Sequence, residues 1–267
     1  MTLLEGAIIL VAGIAAGIIN VVAGAGTLIT FPVLLALGVS PITANVSNTV
    51  GLVPGSVAGA YGYRRELASQ WRPVATMAVF SAVGGIIGGL LLLVLPEGVF
   101  AGVVPFLLLL AAALSAMQPR VARFVRRKAT AAPAGPRSTL TTTKTHTDTR
   151  PLTLGLILGV LATGVYGGYF GAAQGVILLA LLGILWSTDM HRANGAKNVL
   201  AGVANLVSAI IFISSGTVDW RIALLIGVGS ATGGWLGARI GRKLSAPVLR
   251  TILVLVAVIA AVILLVT

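Results

Sequence analysis

Lys197 stands in the run Ala193-Asn194-Gly195-Ala196-Lys197-Asn198-Val199, inside an apolar stretch that holds no acidic residue of its own. A lysine at membrane depth is costly and requires an anion, a carboxylate or water beside it. A matching run, Ala44-Asn45-Val46-Ser47-Asn48-Thr49-Val50, lies in the first half of the chain. Carboxamides and hydroxyls three or four residues apart share one helical face, so each run presents a polar stripe. Upstream of each run the sequence is broken by glycine. The first break is Gly17-Ile-Ile-Asn20-Val-Val-Ala-Gly24-Ala-Gly26-Thr27, and the second runs from Gly164 through Gly171 and Gln174 to Gly175. Glycine costs about 1 kcal/mol in a helix interior and frees the backbone for tight turns. Amides exposed where two half-helices meet direct partial positive charge at whatever fills the gap. The chemistry this predicts is hydrogen bonding and charge compensation for a small anion. The expected substrate-binding set is Asn20, Gly24, Gly26, Asn45, Asn48, Gly171, Gln174, Asn194, Lys197 and Asn198.

Plainer readings stand beside these. The spacings Gly13/Gly17 and Gly167/Gly171 also suit close helix packing. Lys197 could snorkel to the interface beside His191 and Arg192, or meet Asp189 if the preceding loop folds back. Only six carboxylates exist, Glu5, Glu66, Glu97, Asp148, Asp189 and Asp219, all in expected loops or helix ends. That disfavours an acid-lined cation pathway or proton relay. His146 and His191 have no metal-ligand spacing, and with no cysteine there is no thiolate site, so no metal is expected. No GxSxG, Walker or HExxH pattern occurs, and no nucleophile–base pair can be assembled, so the chain reads as a non-enzyme.

The elements that must position these residues are transmembrane helices. Mean hydropathy is +1.05, 57% of residues are hydrophobic and 9% are charged, against about 25% charged in soluble domains. Lipid must be the solvent for most of that surface. Stretches able to cross about 30 Å of hydrocarbon fall at 74–95, 98–118, 152–172, 194–214 and 247–266, with a shorter one at 222–238. Residues 4–38 form one long apolar stretch that either crosses twice or turns back as a re-entrant hairpin. Residues 44–62 carry enough polar side chains that they must face a protein interior or a watery cavity. The N-terminal MTLLEG has no basic residue, which argues against a cleaved signal peptide.

Eight of the 18 basic residues lie between Pro119 and Arg150 in a Thr-, Ala- and Pro-rich segment with one acid, Asp148. This reads as a cytoplasmic linker under the positive-inside rule rather than as a nucleic-acid surface. The expected organisation is residues 1–118 as a first transmembrane repeat, 119–150 as a basic linker and 151–267 as a second repeat. A shift of 149 residues superposes Ala44-Asn45 on Ala193-Asn194, Trp71-Arg72 on Trp220-Arg221, Gly84-Gly85 on Gly233-Gly234, and Gly88 on Gly237. Gly17 and Gly24 match Gly164 and Gly171 at a slightly smaller offset. The loop charges exchange places between the halves. Arg64, Arg65 and Arg72 are followed by a turn at Glu97, whereas Asp219 is followed by Arg239, Arg242 and Lys243. Positive-inside reasoning then inserts the repeats upside down relative to each other. The predicted fold is all-α, two inverted repeats of about five helical elements each with broken or re-entrant helices at their starts, and both termini outside. Eight elements with parallel halves is the rival count.

The ordered set of motifs resembles the TauE/SafE family of sulfite and organosulfur-anion exporters. The resemblance is carried by Gly24-Ala-Gly-Thr-Leu-Ile-Thr-Phe-Pro32 with the later Gly38 and the Ala-Asn helix. In the second half it is carried by His191–Asn198, Val218-Asp219-Trp220 and Gly233-Gly234-Trp-Leu-Gly237-Ala-Arg239. It covers nearly the whole chain except 119–150. It implies export of sulfite or a related small anion across a bacterial inner membrane, without a bound cofactor. The glycine run is shorter here than is usual in that family, and the polar linker longer. The expected partners are a small anionic substrate, the lipid bilayer, a coupling ion (H+ or Na+) and a second copy in a homodimer, with no nucleic acid. Transport of another small anion such as a carboxylate, or a non-transporting scaffold role, are the alternatives.

Overall fold

The structure, a computed structural model, describes residues 1–130, 149–240 and 246–266. It is built of helices: α1 (Leu3–Val22), α2 (Thr27–Ala36), α3 (Pro41–Gly62), the single turn α4 (Arg64–Leu67), α5 (Trp71–Val94), α6 (Glu97–Thr130), α7 (Leu154–Tyr169), α8 (Gln174–Leu185), α9 (Met190–Ser214), α10 (Trp220–Ile240) and α11 (Ala246–Val266). Four of them, Leu3–Val22, Trp71–Val94, Glu97–Arg120 and Met190–Ser214, are long and apolar enough to cross a membrane by length and composition. No strand is formed among the described residues; an isolated bridge pairs Thr149 with Ser187.

Short polar residues start the helices. Thr2 and Glu5 form a reciprocal capping box at α1, with Thr2 N–H on Glu5 Oε2 at 2.7 Å and Glu5 N–H on Thr2 Oγ1 at 3.2 Å. Ser40 caps α3 ahead of Pro41, and Thr153 caps α7. Asp189 accepts the His191 and Arg192 amides at the start of α9, and Asp219 accepts those of Arg221 and Ile222 at α10. Three of the six carboxylates are therefore helix caps.

The long apolar stretch 4–38 is a hairpin. α1 runs unbroken through Gly17 and Asn20, the chain turns at Ala23–Gly26, and α2 leads back. Gly26 lies against the Ala16 carbonyl, while Leu37 and Val39 share a cavity with Met1, Glu5 and Ile9 at the start of α1. The second half does the same: α7 continues through Gly164 and Gly168, and the turn is confined to Phe170–Ala173. Each break is thus four residues long, narrower than the glycine runs suggested. The outlying glycines serve packing, with Gly17 on Ser230 and Gly164 between Ser81 and Gly84.

Glycine contacts also give the helix directions. Gly13 faces Ile226, Gly17 faces Ser230 and Gly237 faces Ile18, so α1 and α10 run parallel. On the other side of α10, Gly51 faces Ile226, Gly55 faces Ser230 and Gly62 faces Ala238, so α3 is parallel too. The set α5, α7 and α9 repeats this: Gly84 faces Gly164 and Gly88 faces Val165, while Gly85 faces Ala204 and Gly89 faces Ser208. The two sets meet where α3 and α9 run antiparallel, with Ser56 on Gly202, Gly59 near Asn198 and Tyr63 on Gly195. Each half therefore lends one helix to the other: α10 packs with α1 and α3, and α5 with α7 and α9. Small residues on both sides let these backbones approach closely.

The first part of the basic segment lies on a helix. α6 continues through Pro119 to Thr130, and the remainder, 131–148, lies outside the described residues.

Candidate substrate site where the two breaks meet

The two breaks touch. The Gly175 amide donates to the Gly24 carbonyl at 3.0 Å, and each of these glycines occupies the space a Cβ on the other would need. Gly24 has φ +77° and Gly171 φ +75°, the left-handed conformation in which a side chain is strained. Ala173 adopts φ +57° without that relief. This contact brings the N-termini of the half-helices α2 and α8, with their partial positive charge, towards the centre of the molecule.

Around this crossing the hydrogen bonds sort the sequence-derived residues into two clusters. In the first, Asn45 donates its Nδ2 to the Tyr169 carbonyl in the last turn of α7 at 2.9 Å. Asn48 donates to Thr27 Oγ1 at 3.1 Å and accepts from Thr30 Oγ1, tying α3 to the start of α2. In the second, Asn194 donates to the Val21 carbonyl in the last turn of α1 at 3.2 Å. Lys197 places Nζ at 3.0 Å from Asn20 O and 2.9 Å from Val21 O. The Asn20 side chain reaches Ser56 Oγ at 3.3 Å, and Asn198 lies beside Gly59. Each polar helix start thus holds the end of the broken helix belonging to the other half.

Lys197 is 1% exposed, which excludes snorkelling to the interface. Asp189 is not its partner either, because that carboxylate accepts amides of its own helix start. The ammonium instead faces the C-terminal end of α1, where unsatisfied carbonyls collect partial negative charge. An ammonium has three N–H groups, and those two carbonyls take two of them. Two buried polar atoms of the same helix start have no partner, Asn194 Oδ1 and Asn198 Nδ2, as has Asn45 Oδ1 in the first cluster. The lysine cluster therefore combines one spare N–H on Lys197, the free Asn198 amide donor and the free Asn194 Oδ1 acceptor, away from bulk water.

Gln174 takes no part in either cluster; it turns back to donate to Thr163 O at 3.3 Å and packs on Gly167. Gly26 packs on α1, and Gly171 forms the turn after α7. Sequence reasoning missed Thr27, Thr30 and Ser56, which give Asn48 and Asn20 their partners. It also missed Ser81 and Ser230. Ser81 Oγ donates to Leu200 O at 2.8 Å, and Ser230 Oγ to Gly51 O at 2.6 Å. Both serines, and both acceptors, are related by the same shift of 149 that relates the glycine pairs, so extending that match by three residues would have found them.

Apolar helices around buried amides and a lysine, interrupted at two helix breaks, suit a multi-pass membrane transport protein. Residues 9–264 match the family described as sulfite exporter TauE/SafE, and the chain belongs to that family. The probable membrane transporter protein ORF9 of a Sinorhizobium species is 27% identical over 252 residues, 94% of this chain and 89% of that protein. A probable membrane transporter protein of Haemophilus influenzae is 25% identical, covering 87% of this chain and 84% of its own length. The probable membrane transporter protein YfcA of Escherichia coli K12 is 26% identical, covering 88% and 81%. No solved structure matches the chain.

Proposed function

We propose that this protein exports a small anion, sulfite or an organosulfonate, across the bacterial inner membrane by alternating access. The observation that carries this reading is Lys197, buried at the end of a broken helix with no carboxylate bonded to it among the described residues, on the helix start that also carries the unpartnered Asn198 amide. A lysine held at that depth is retained at a cost in stability, and an anionic substrate gives the cost a purpose. The family description names sulfite, which suits a site with one cation and few donors.

The two repeats insert in opposite orientation in this reading. The antiparallel course of α3 and α9 supports it, as does the distribution of charge. Arg64, Arg65, Arg72, Arg150, Arg192 and Arg239 belong to one end of the bundle with Glu66 and Asp189, and Glu5, Glu97 and Asp219 to the other with Arg221, so the excess of basic residues lies at the first end. Under the positive-inside rule the basic end is cytoplasmic and both termini are outside. The substrate approaches from the basic end, meets Lys197 and leaves when the hairpins α1–α2 and α7–α8 rock about the Gly24–Gly175 contact.

The test is efflux from proteoliposomes loaded with sulfite, sulfoacetate or acetate. Lys197→Met and Lys197→Gln should abolish sulfite efflux while the protein still purifies as a folded species. Undiminished efflux from both variants would remove Lys197 from the site. Efflux of acetate in preference to sulfite and sulfoacetate would overturn the substrate class.

A further inference from the structure

The repeats differ in charge at one pair of equivalent positions. The shift of 149 that superposes Asn45 on Asn194 also superposes Asn48 on Lys197. In the second repeat the Lys197 ammonium lies on the last-turn carbonyls of α1, next to Asn194. In the first repeat Asn45 also holds the last turn of α7, one residue further along at Tyr169 O, but no ammonium among the described residues accompanies it. Asn48 is shorter and is turned towards Thr27 and Thr30.

The end of α7 is correspondingly under-compensated. Tyr166 O takes the Phe170 and Gly171 amides and Tyr169 O takes Asn45. The carbonyls of Gly167 and Gly168, equivalents of Asn20 and Val21 at the 147 offset of the glycine breaks, have no donor among the described residues. Asn45 Oδ1, on a fully buried side chain, is unpartnered as well, as is its equivalent Asn194 Oδ1, so the two repeats differ in their carbonyls and in Lys197. Aromatic rings wall this region: Phe31 meets Phe170 edge-on at 5.2 Å and Phe100 meets Tyr169 at 5.6 Å. A helix end carries about half a negative elementary charge. The end of α1 is bonded by Lys197; among the described residues that of α7 has no cationic side chain bonded to it.

We propose that the C-terminal end of α7, together with Asn45 Oδ1, binds Na+, which there takes the charge-compensating role that the Lys197 side chain has at the end of α1. The donor set is uncharged oxygen: one carboxamide and backbone carbonyls, with the Thr27 and Thr30 hydroxyls close by on Asn48. Such a set suits a hard monovalent cation. Ca2+ sites draw on several carboxylates, and zinc takes imidazole or thiolate. Carbonyls at half-helix ends serve as Na+ ligands in transporter folds generally. The inference deepens the anion-transport reading by supplying a coupling ion, but the binding itself is measurable with no anion present.

The experiment is equilibrium binding of radioactive Na+ to the purified full chain in detergent, with choline chloride holding ionic strength constant. Saturable binding is expected. Asn48→Lys, which installs a fixed ammonium, and Asn45→Leu should each weaken it roughly tenfold or more, the loss of one good ligand or more. Asn45→Asp, which keeps the oxygen, should retain binding and guards against a variant that merely misfolds. Absence of saturable Na+ binding, or binding untouched by Asn48→Lys and Asn45→Leu, overturns the proposal. Na+ binding without anion flux would sink the transport reading and leave this site standing; anion flux without Na+ binding would do the reverse.

Discussion

Replacing Gly24 by alanine should cost more than replacing Gly38, another left-handed glycine. Gly24 and Gly38 have nearly the same conformation, φ +77° and +80°. A Cβ at Gly38 meets nothing within 4 Å, whereas one at Gly24 runs into the backbone of Gly175 and Val176. The left-handed conformation costs a residue with a Cβ about 1–2 kcal/mol. Overpacking against backbone that cannot rotate away adds about 1–3 kcal/mol. Gly38→Ala should therefore lose about 1–2 kcal/mol from strain alone, and Gly24→Ala about 2–5 kcal/mol from both causes. Gly175→Ala isolates the clash, because Gly175 has no positive φ and its Cβ meets the Gly24 backbone. Thermal unfolding of the three purified variants in one detergent gives the ordering directly. At roughly 2–4 °C per kcal/mol for a chain of this size, the Gly24 and Gly38 midpoints should separate by several degrees. Equal midpoints for those two would mean that the breaks do not press on each other, and the crossing would lose its claim to be the hinge.

Asn45→Ala and Asn194→Ala each remove a carboxamide from a helix end, so both should destabilise by a similar ~1–2 kcal/mol; a large difference in unfolding midpoint would show the two repeats to be unequal in support. The chain contains no cysteine, so single cysteines at Arg65 and Gly216 can be labelled without background. A membrane-impermeant thiol reagent added to intact cells should reach the Gly216 site and not the Arg65 site, and the opposite pattern would refute the proposed orientation.

The helices were legible because apolar length and the shift of 149 are properties of the sequence alone. The paired glycines gave away the repeat since close backbone approach tolerates nothing larger, and the contacts of Gly84 and Gly233 on Leu161 and Ile14 fall at equivalent places. The grouping of the site was less legible. Asn45 and Asn194 were placed in one substrate-binding set. Their helices run antiparallel, however, so each amide serves the broken helix of the opposite repeat. The environment of Lys197 was hidden for a related reason. Its partners are main-chain carbonyls 176 and 177 residues away, which no residue type signals. Asp189 was a reasonable partner by proximity in sequence, but a carboxylate just before a helix finds free amides sooner than a lysine two turns inside it.

The exchange of α5 and α10 between the halves bears on how the protein is made. α1 and α3 leave the ribosome early, yet the grooves their glycines form are filled by α10, whose sequence begins only at Trp220. Until then the glycine-lined faces of α1 and α3 must rest against lipid or the insertion machinery, with Asn45 and Asn48 still lacking their final surroundings. Assembly is therefore a late event that closes both halves together, and a chain cut within the linker should yield two fragments of which neither is stable until the other is present in the same membrane.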